Sequence, residues 1–178
     1  LEKAEMLIKE FPEEILYNGL LAEIYVAKGE KEKARLVYTN LLERNPNDPH
    51  IQLAVCEFLI GEKDYKELFL LMNNVTLNAN IKREDKISLF ARMIELPDLV
   101  ARNSDDLIIA LMVFEANYGN DDIVPLLRPE VLIKITKLDD AAVRLEEIIK
   151  ENPENYYAWE KLLLVLNQKK DYKALEIR

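Results

Sequence analysis

The sequence predicts an all-α fold, built as a solenoid of antiparallel helix pairs with about five repeats. The first observation is a spacing. Pro12 and Pro46 are separated by one period of about 34 residues, and Pro153 follows Pro46 after three such periods and five extra residues. The second is that each proline closes a segment in which apolar residues recur at helical spacing. The third is that the 178 residues include four glycines, which suits helices joined by short turns.

The first complete helix pair has the most regular pattern. Residues 1–11 are predicted to end an amphipathic helix, and Pro12 stops it before a helix over residues 14–28. Gly29 ends that helix, and its partner is predicted over residues 31–44. The residues expected to face inward are Leu16, Leu20, Leu21, Ile24 and Tyr25 in the first helix, and Ala34, Val37, Tyr38, Leu41 and Leu42 in the second.

A second pair follows one period later. Between the two pairs, Asp48 is predicted to be an N-cap and Pro49 a first helical residue, where a missing N–H costs nothing. The offset of one period places Cys56 at the position of Ala22 and Met72 at that of Tyr38. The same helix-pair pattern is therefore expected here, with less strictly matching residue types at the equivalent positions.

The middle of the chain departs from the period. A helix over residues 83–96 is predicted to end at Pro97, and the five extra residues are assigned to the stretch that ends at Ser104. Ser104 or Asp105 is expected to cap a helix over 107–118. This helix is apolar nearly all round, which predicts that it is deeply packed.

Two prolines disturb the segment that follows. Residues 119–122 are predicted to end one helix and cap the next, and Pro125 and Pro129 predict a shortened helix that begins near Pro129. The regular pattern then returns, because Ala141, Leu145, Ile148 and Pro153 have the spacings of Ala34, Tyr38, Leu41 and Pro46. A helix over residues 156–167 carries Trp159, Leu162, Leu163 and Leu166, with Trp159 expected as a core anchor and a partner helix beginning at Asp171.

These residues resemble the tetratricopeptide repeat (TPR) family. The residues at the family's spacings are Leu21, Ala22, Tyr25, Gly29, Ala34, Tyr38, Leu41 and Pro46 in the best unit, with Trp159 and Leu162 in a later one. The resemblance is close over residues 1–75 and 138–178 and weak over 80–137, where Phe90 replaces a small residue. It implies one array, taken as a fragment of a longer chain. The parts are a truncated repeat (1–12), a TPR (13–48), a TPR-like unit (49–82), degenerate helical repeats (83–137) and a truncated TPR-like unit (138–178).

Composition excludes several classes of partner. The net charge is −9, whereas nucleic-acid binding needs a basic surface, so RNA binding by a helical repeat is disfavoured. Docking on an anionic membrane is disfavoured for the same reason, and no apolar stretch predicts a membrane span. We expect a soluble protein whose compartment the sequence leaves open, because a signal peptide or anchor could lie outside the fragment. Its cut ends could pair copies, since uncapped terminal repeats leave apolar surface exposed.

No residue cluster indicates an enzyme, a metal site or a cofactor site. His50 is the only histidine and is interpreted as an exposed residue, and Cys56 as a buried and inert one. The carboxylate pairs Asp121-Asp122, Asp139-Asp140 and Glu146-Glu147 do not form dyads, because neighbouring residues on a helix point about 100° apart. The first two pairs are expected at helix starts. Asn74-Val75-Thr76 matches a glycosylation sequon but is interpreted as a chance match.

The resemblance implies that the first helix of each pair lines a concave groove. Carried onto this sequence, the partner-binding residues are Glu23, Val26, His50, Leu53, Glu57, Ile60, Tyr157, Glu160 and Leu164, with Leu16 and Gly19 also on the lining. Gly19 and Glu23 stand where a clamp for a partner's C-terminal carboxylate would need basic residues, so no such clamp is expected. The expected function is a scaffold that binds a peptide or helix of a partner protein in an apolar, mildly acidic groove. The alternative is a regulatory or targeting region of a larger enzyme or of an envelope-assembly protein.

Overall fold

A computed structural model describes residues 15–118 and 121–170, together with Met6 and Glu10. Every regular element in these residues is helical, as the sequence predicts. The α-helices are α1 (Ile15–Ala27), α2 (Lys31–Arg44), α3 (Pro49–Glu62), α4 (Tyr65–Leu77), α5 (Arg83–Ile94), α6 (Pro97–Tyr118), α7 (Leu127–Lys134), α8 (Leu138–Glu151) and α9 (Tyr156–Gln168). A 3₁₀ turn, Val124–Leu126, precedes α7. None of these helices has the length and apolar character needed to cross a membrane.

The chain divides into two compact units, Leu1–Ile81 and Lys82–Arg178. In unit 1, α1 packs on α2, α2 on α3 and α3 on α4. Ala22 and Ala34 are fully buried, as are Cys56 and Leu68, which stand one period later in the chain. The residues at these equivalent positions therefore lie inside, where the sequence places them.

One backbone feature recurs through both units. Gly29, Lys63, Thr136 and Lys170 all have a left-handed backbone, with φ between 58° and 74°. The residue after each of the first three donates its N–H five residues back, from Glu30 to Tyr25, Asp64 to Leu59 and Lys137 to Leu132, all at 2.9 Å. This is the six-to-one bond of a Schellman helix end. The first two positions are one period apart, as are the last two, and two periods plus five residues separate Lys63 from Thr136. The sequence period thus has a structural counterpart.

The proline segments share a second feature. Asp48 caps α3, with its Oδ1 accepting the N–H groups of His50 and Ile51 at 2.9 Å, and Pro49 begins the helix. Gln52 Nε2 donates to the carbonyl of Pro46 at 2.6 Å, six residues back. Trp159 likewise donates its ring N–H six residues back, to the carbonyl of Pro153 at 2.9 Å. The cap prediction is confirmed. Trp159 is half-buried and closes a turn, so its prediction as a core anchor is only partly right.

In unit 2 the irregular stretch is more helical than predicted. Pro97 begins α6 and is not followed by a loop, and the helix is interrupted at Asn103, with φ −131° and ψ 26°. The break therefore comes one residue before Ser104. Phe90, which replaces a small residue, is fully buried and stacks on Phe114 with ring centroids 5.1 Å apart.

The two later prolines do not kink a helix. Pro125 lies within the 3₁₀ turn and Pro129 in the first turn of α7, where backbone N–H groups have no intrahelical acceptor. Helix α7 consequently begins at Leu127, two residues before the predicted start. Asp121 Oδ1 accepts the N–H groups of Ile123 and Val124, which confirms a capping role.

Several predicted inward residues face solvent instead. Leu16 is 72% exposed and Leu20 48% exposed, while Leu21 and Tyr25 are buried as predicted. Leu163 is also exposed, and so are Ile109 and Met112, so α6 is not packed all round. The predictions for residues 1–12, for Gly119-Asn120 and for a helix from Asp171 fall mainly or wholly outside the described residues.

One hydrophobic cluster of unit 2 is formed mainly by α8 and α9, with the adjoining faces of α7 and the 3₁₀ turn. Ala141, Leu145 and Ile148 are buried at the spacings of Ala34, Tyr38 and Leu41, as predicted. Helix α5 packs on α6, α6 on α7, α7 on α8 and α8 on α9. Each helix of unit 2 thus packs on its neighbour in sequence.

Candidate functional site

The predicted partner-binding residues lie on α1, α3 and α9. Most are exposed, and these are Glu23, Val26, His50, Glu57, Tyr157, Glu160 and Leu164. Leu53 is half-buried. Ile60 is only 5% exposed, so in this structure it supports α3 from inside and offers no surface to a partner.

In unit 1, the exposed face of α1 is more apolar than predicted. Leu16, Leu20, Glu23 and Ala27 succeed one another at intervals of four, three and four residues, which places them on one side of the helix. Leu20 was predicted to face inward and was therefore missing from the predicted site. Its spacing of four residues from Leu16, which places both leucines on one side of the helix, could have indicated its exposure.

Both first helices of unit 1 carry an exposed carboxylate. Glu23 and Glu57 are exposed on α1 and α3. Burial raises the pKa of the Tyr38 hydroxyl, and the charge of Glu23 raises it further. Burial likewise raises the pKa of the Cys56 thiol to about 12, with a smaller contribution from Glu57. The two carboxylates therefore act electrostatically on groups inside the unit.

In unit 2, the predicted residues of α9 form a separate stripe. Tyr157, Glu160 and Leu164 follow at intervals of three and four residues, and all three are exposed. Tyr156 beside them is also exposed.

We call the exposed sides of α1 and α3 in unit 1, carrying Leu16, Leu20, Glu23, His50 and Glu57, the first-helix face.

A groove between α2 and α4 was not predicted from the sequence. It has a volume of about 350 Å³ and is closed below by α3. The residues that line it are Arg35, Tyr38, Thr39, Leu42, Glu43, Val55, Phe58, Leu59, Glu67, Leu70, Leu71 and Asn74. We call it the α2–α4 groove. Its open side is formed by the second helices of the two pairs.

Unit 2 contains a buried ion cluster that the sequence analysis missed. Glu115 on α6 is buried, and Arg128 on α7 binds it through two nitrogens at 3.1 and 2.8 Å. Arg144 on α8 donates to the same carboxylate at 3.4 Å and to Glu147 at 2.9 Å. The sequence feature that could have indicated this cluster is the presence of charged residues at three positions where helical periodicity predicts partly buried side chains.

The residues with chemically reactive side chains are buried or are held in hydrogen bonds and ion pairs, which lowers their reactivity. Cys56 is fully buried, and its raised pKa keeps the thiol protonated near neutral pH. Asp122 accepts a hydrogen bond from Asn152, and Asp139 pairs with Lys169 at 2.6 Å. Thr76 of the sequon is buried and bonds the carbonyl of Met72. Across residues 15–118 and 121–170 there is no group of three or more His, Cys, Asp or Glu suited to a metal ion.

No protein-family model matches the chain, and no curated protein matches it.

Proposed function

We propose that the chain is a TPR-like solenoid of about five helix pairs, with a degenerate middle, that serves as a protein-interaction scaffold. The fold proposal is supported by the left-handed helix ends, which are one period apart within each unit. It is supported as well by the matching side-chain bonds to the carbonyls of Pro46 and Pro153. Arrays of this kind present preorganised surfaces, which suits binding and not chemistry.

The observation that carries the functional proposal is the apolar exposure of α1. Leu16 and Leu20 are adjacent on one side of the helix and expose most and about half of their surfaces, respectively. Glu23 continues the same stripe, and Glu57 on α3 adds a second carboxylate to the first-helix face. The complementary partner is a peptide or helix of another protein that presents Leu or Phe beside Lys or Arg.

Selection of peptides from a random library tests this function. Binding clones selected on the whole chain are expected to combine bulky apolar residues with Lys or Arg. They should lose binding to the Glu23→Lys/Glu57→Lys variant, because the added charges repel a basic segment.

The matched control is Glu32→Lys/Glu151→Lys. It makes the same change in net charge at exposed residues of α2 and α8, outside the first-helix face. A selection in which no peptide loses binding to Glu23→Lys/Glu57→Lys while keeping it to Glu32→Lys/Glu151→Lys would overturn the proposal. The alternative, a regulatory or targeting region of a larger enzyme or of an envelope-assembly protein, uses the same surface in a different context.

A further inference from the structure

The α2–α4 groove lies between the second helices of unit 1 with α3 as its floor, whereas the first-helix face lies on the exposed sides of α1 and α3. Its floor is apolar, because Tyr38, Val55, Phe58 and Leu59 are all buried there. Leu70 stands at its edge and is 68% exposed. The groove is therefore an apolar depression bordered by an apolar side chain that solvent reaches.

The corresponding place in unit 2 has different chemistry. An offset of two periods and five residues carries α2, α3 and α4 onto the second part of α6, onto α7 with its preceding turn, and onto α8. Under this offset Leu42 becomes Glu115, Val55 becomes Arg128 and Leu71 becomes Arg144. These are the three residues of the buried ion cluster. Unit 2 thus carries ion pairs where unit 1 is apolar, and Arg128 and Arg144 line an open groove of about 390 Å³ there.

The rim of the α2–α4 groove favours a basic partner. Glu43 on α2 and Glu67 on α4 both line the groove and are exposed. The cation in the lining, Arg35, pairs with Asp64 at 2.9 Å and lies 5.6 Å from the ring centroid of Phe58. Its charge is therefore compensated, and the two glutamates set the sign of the rim.

We propose that the α2–α4 groove is a second docking site, which takes a bulky apolar side chain from a partner protein segment flanked by Lys or Arg. The apolar side chain lies over Val55 and Leu71 and against Leu70, and the flanking cations lie beside Glu43 and Glu67. This site does not depend on the first-helix face, and both could be occupied at once.

Two synthetic twelve-residue peptides test the site. One is an amphipathic peptide of Leu and Lys, and the other has Glu in place of every Lys. Methyl NMR of the whole chain, titrated with each peptide, is expected to show shifts at Leu42, Leu70 and Leu71 with the Lys peptide alone. The Leu70→Lys variant should weaken this binding about tenfold or more, since it removes a leucine's share of apolar contact and adds repulsion.

Leu36→Lys is the matched control. Leu36 is also an exposed leucine, at 64%, and lies on α2 outside the groove lining. Both substitutions are at exposed positions, so both variants should fold. Equal affinity of Leu70→Lys and Leu36→Lys, or equal binding of the two peptides, would overturn the proposal.

The first-helix face is distinguished in the same titration. Binding there shifts Leu16 and Leu20 and is lost in Glu23→Lys/Glu57→Lys, whereas binding at the α2–α4 groove survives in that variant. Shifts confined to Leu16 and Leu20 would refute the groove and leave the first-helix face intact.

Discussion

Individual residues at the helix ends determine where the period is kept and where it breaks. Lys63 has a left-handed backbone, and the next such residue is due one period later, where Pro97 stands. The proline ring holds φ at about −65°, so this helix end cannot form there. The chain instead continues as helix up to Asn103, and Thr136 is the next left-handed residue in the part of the chain that the structure describes. The interval from Lys63 to Thr136 exceeds two periods by five residues.

Thr136 provides a direct test of this backbone strain. A β-branched residue is disfavoured at its φ of 59°, whereas glycine adopts that conformation freely. Thr136→Gly should therefore raise the free energy of unfolding by about 1 kcal/mol, as measured in urea. Thr39→Gly, inside α2, should lower it by about 0.4 kcal/mol, the difference in helix propensity between Thr and Gly. A loss of stability in Thr136→Gly would contradict the strain.

The buried thiol of Cys56 makes stability depend on alkaline pH. Its pKa of about 12 in the folded chain lies above its ordinary value of 9.0. Between these values the unfolded chain loses the proton and the folded chain keeps it. The free energy of unfolding should therefore fall by up to about 1.4 kcal/mol per pH unit above pH 9.

Cys56→Ala is the reference for this effect, because Ala22 fills the same position one period earlier. Tyrosines and lysines titrate in both chains, so the difference between their urea-unfolding profiles isolates the thiol. Parallel profiles from pH 8 to 11 would contradict the burial of a neutral thiol.

At the scale of helices, the same arrangement of three elements is stabilised by two chemistries. Leu42, Val55 and Leu71 lie together in unit 1, and Glu115, Arg128 and Arg144 do so in unit 2. A buried ion cluster contributes little net stability, but removal of one member leaves an uncompensated charge.

Substitutions in this cluster should show that removing one member costs more stability than replacing all three. Glu115→Ala should lower the free energy of unfolding by about 3 kcal/mol, because two partly buried guanidinium groups lose their shared acceptor. The triple variant E115L/R128V/R144L carries the residues of unit 1 and should recover most of that loss. Chemical denaturation measures both, and a triple variant less stable than Glu115→Ala would contradict the equivalence of the three positions.

Helix boundaries were predicted best from the sequence where residues at the boundary itself determine it. The bounds of α2 match, because Gly29 and the Pro46 segment end helices by backbone chemistry. Predicted starts failed near Pro97 and Pro129, since a proline suits a helix's first turn as well as a break. The exposure of Leu20 and the burial of Ile60 depend on neighbouring helices, which periodicity along one helix does not specify. The α2–α4 groove needs three helices and so was not predictable from one.

At the scale of the whole molecule, charge and exposed apolar surface together support an interaction role. The chain carries a net charge of −9, and glutamates accompany the exposed leucines on both proposed surfaces. Electrostatic attraction of this kind raises the rate of encounter with basic partners and weakens with salt. Binding of a selected peptide should therefore weaken as ionic strength rises.

The proposed binding of a basic, apolar peptide on the first-helix face can be measured by amide and methyl NMR with a library-selected peptide. Shifts are expected to be concentrated at Leu16, Leu20, Glu23 and Glu57, and to be lost in Glu23→Lys/Glu57→Lys but not in Glu32→Lys/Glu151→Lys. Shifts that leave α1 and α3 unchanged, or equal binding by both variants, would contradict it.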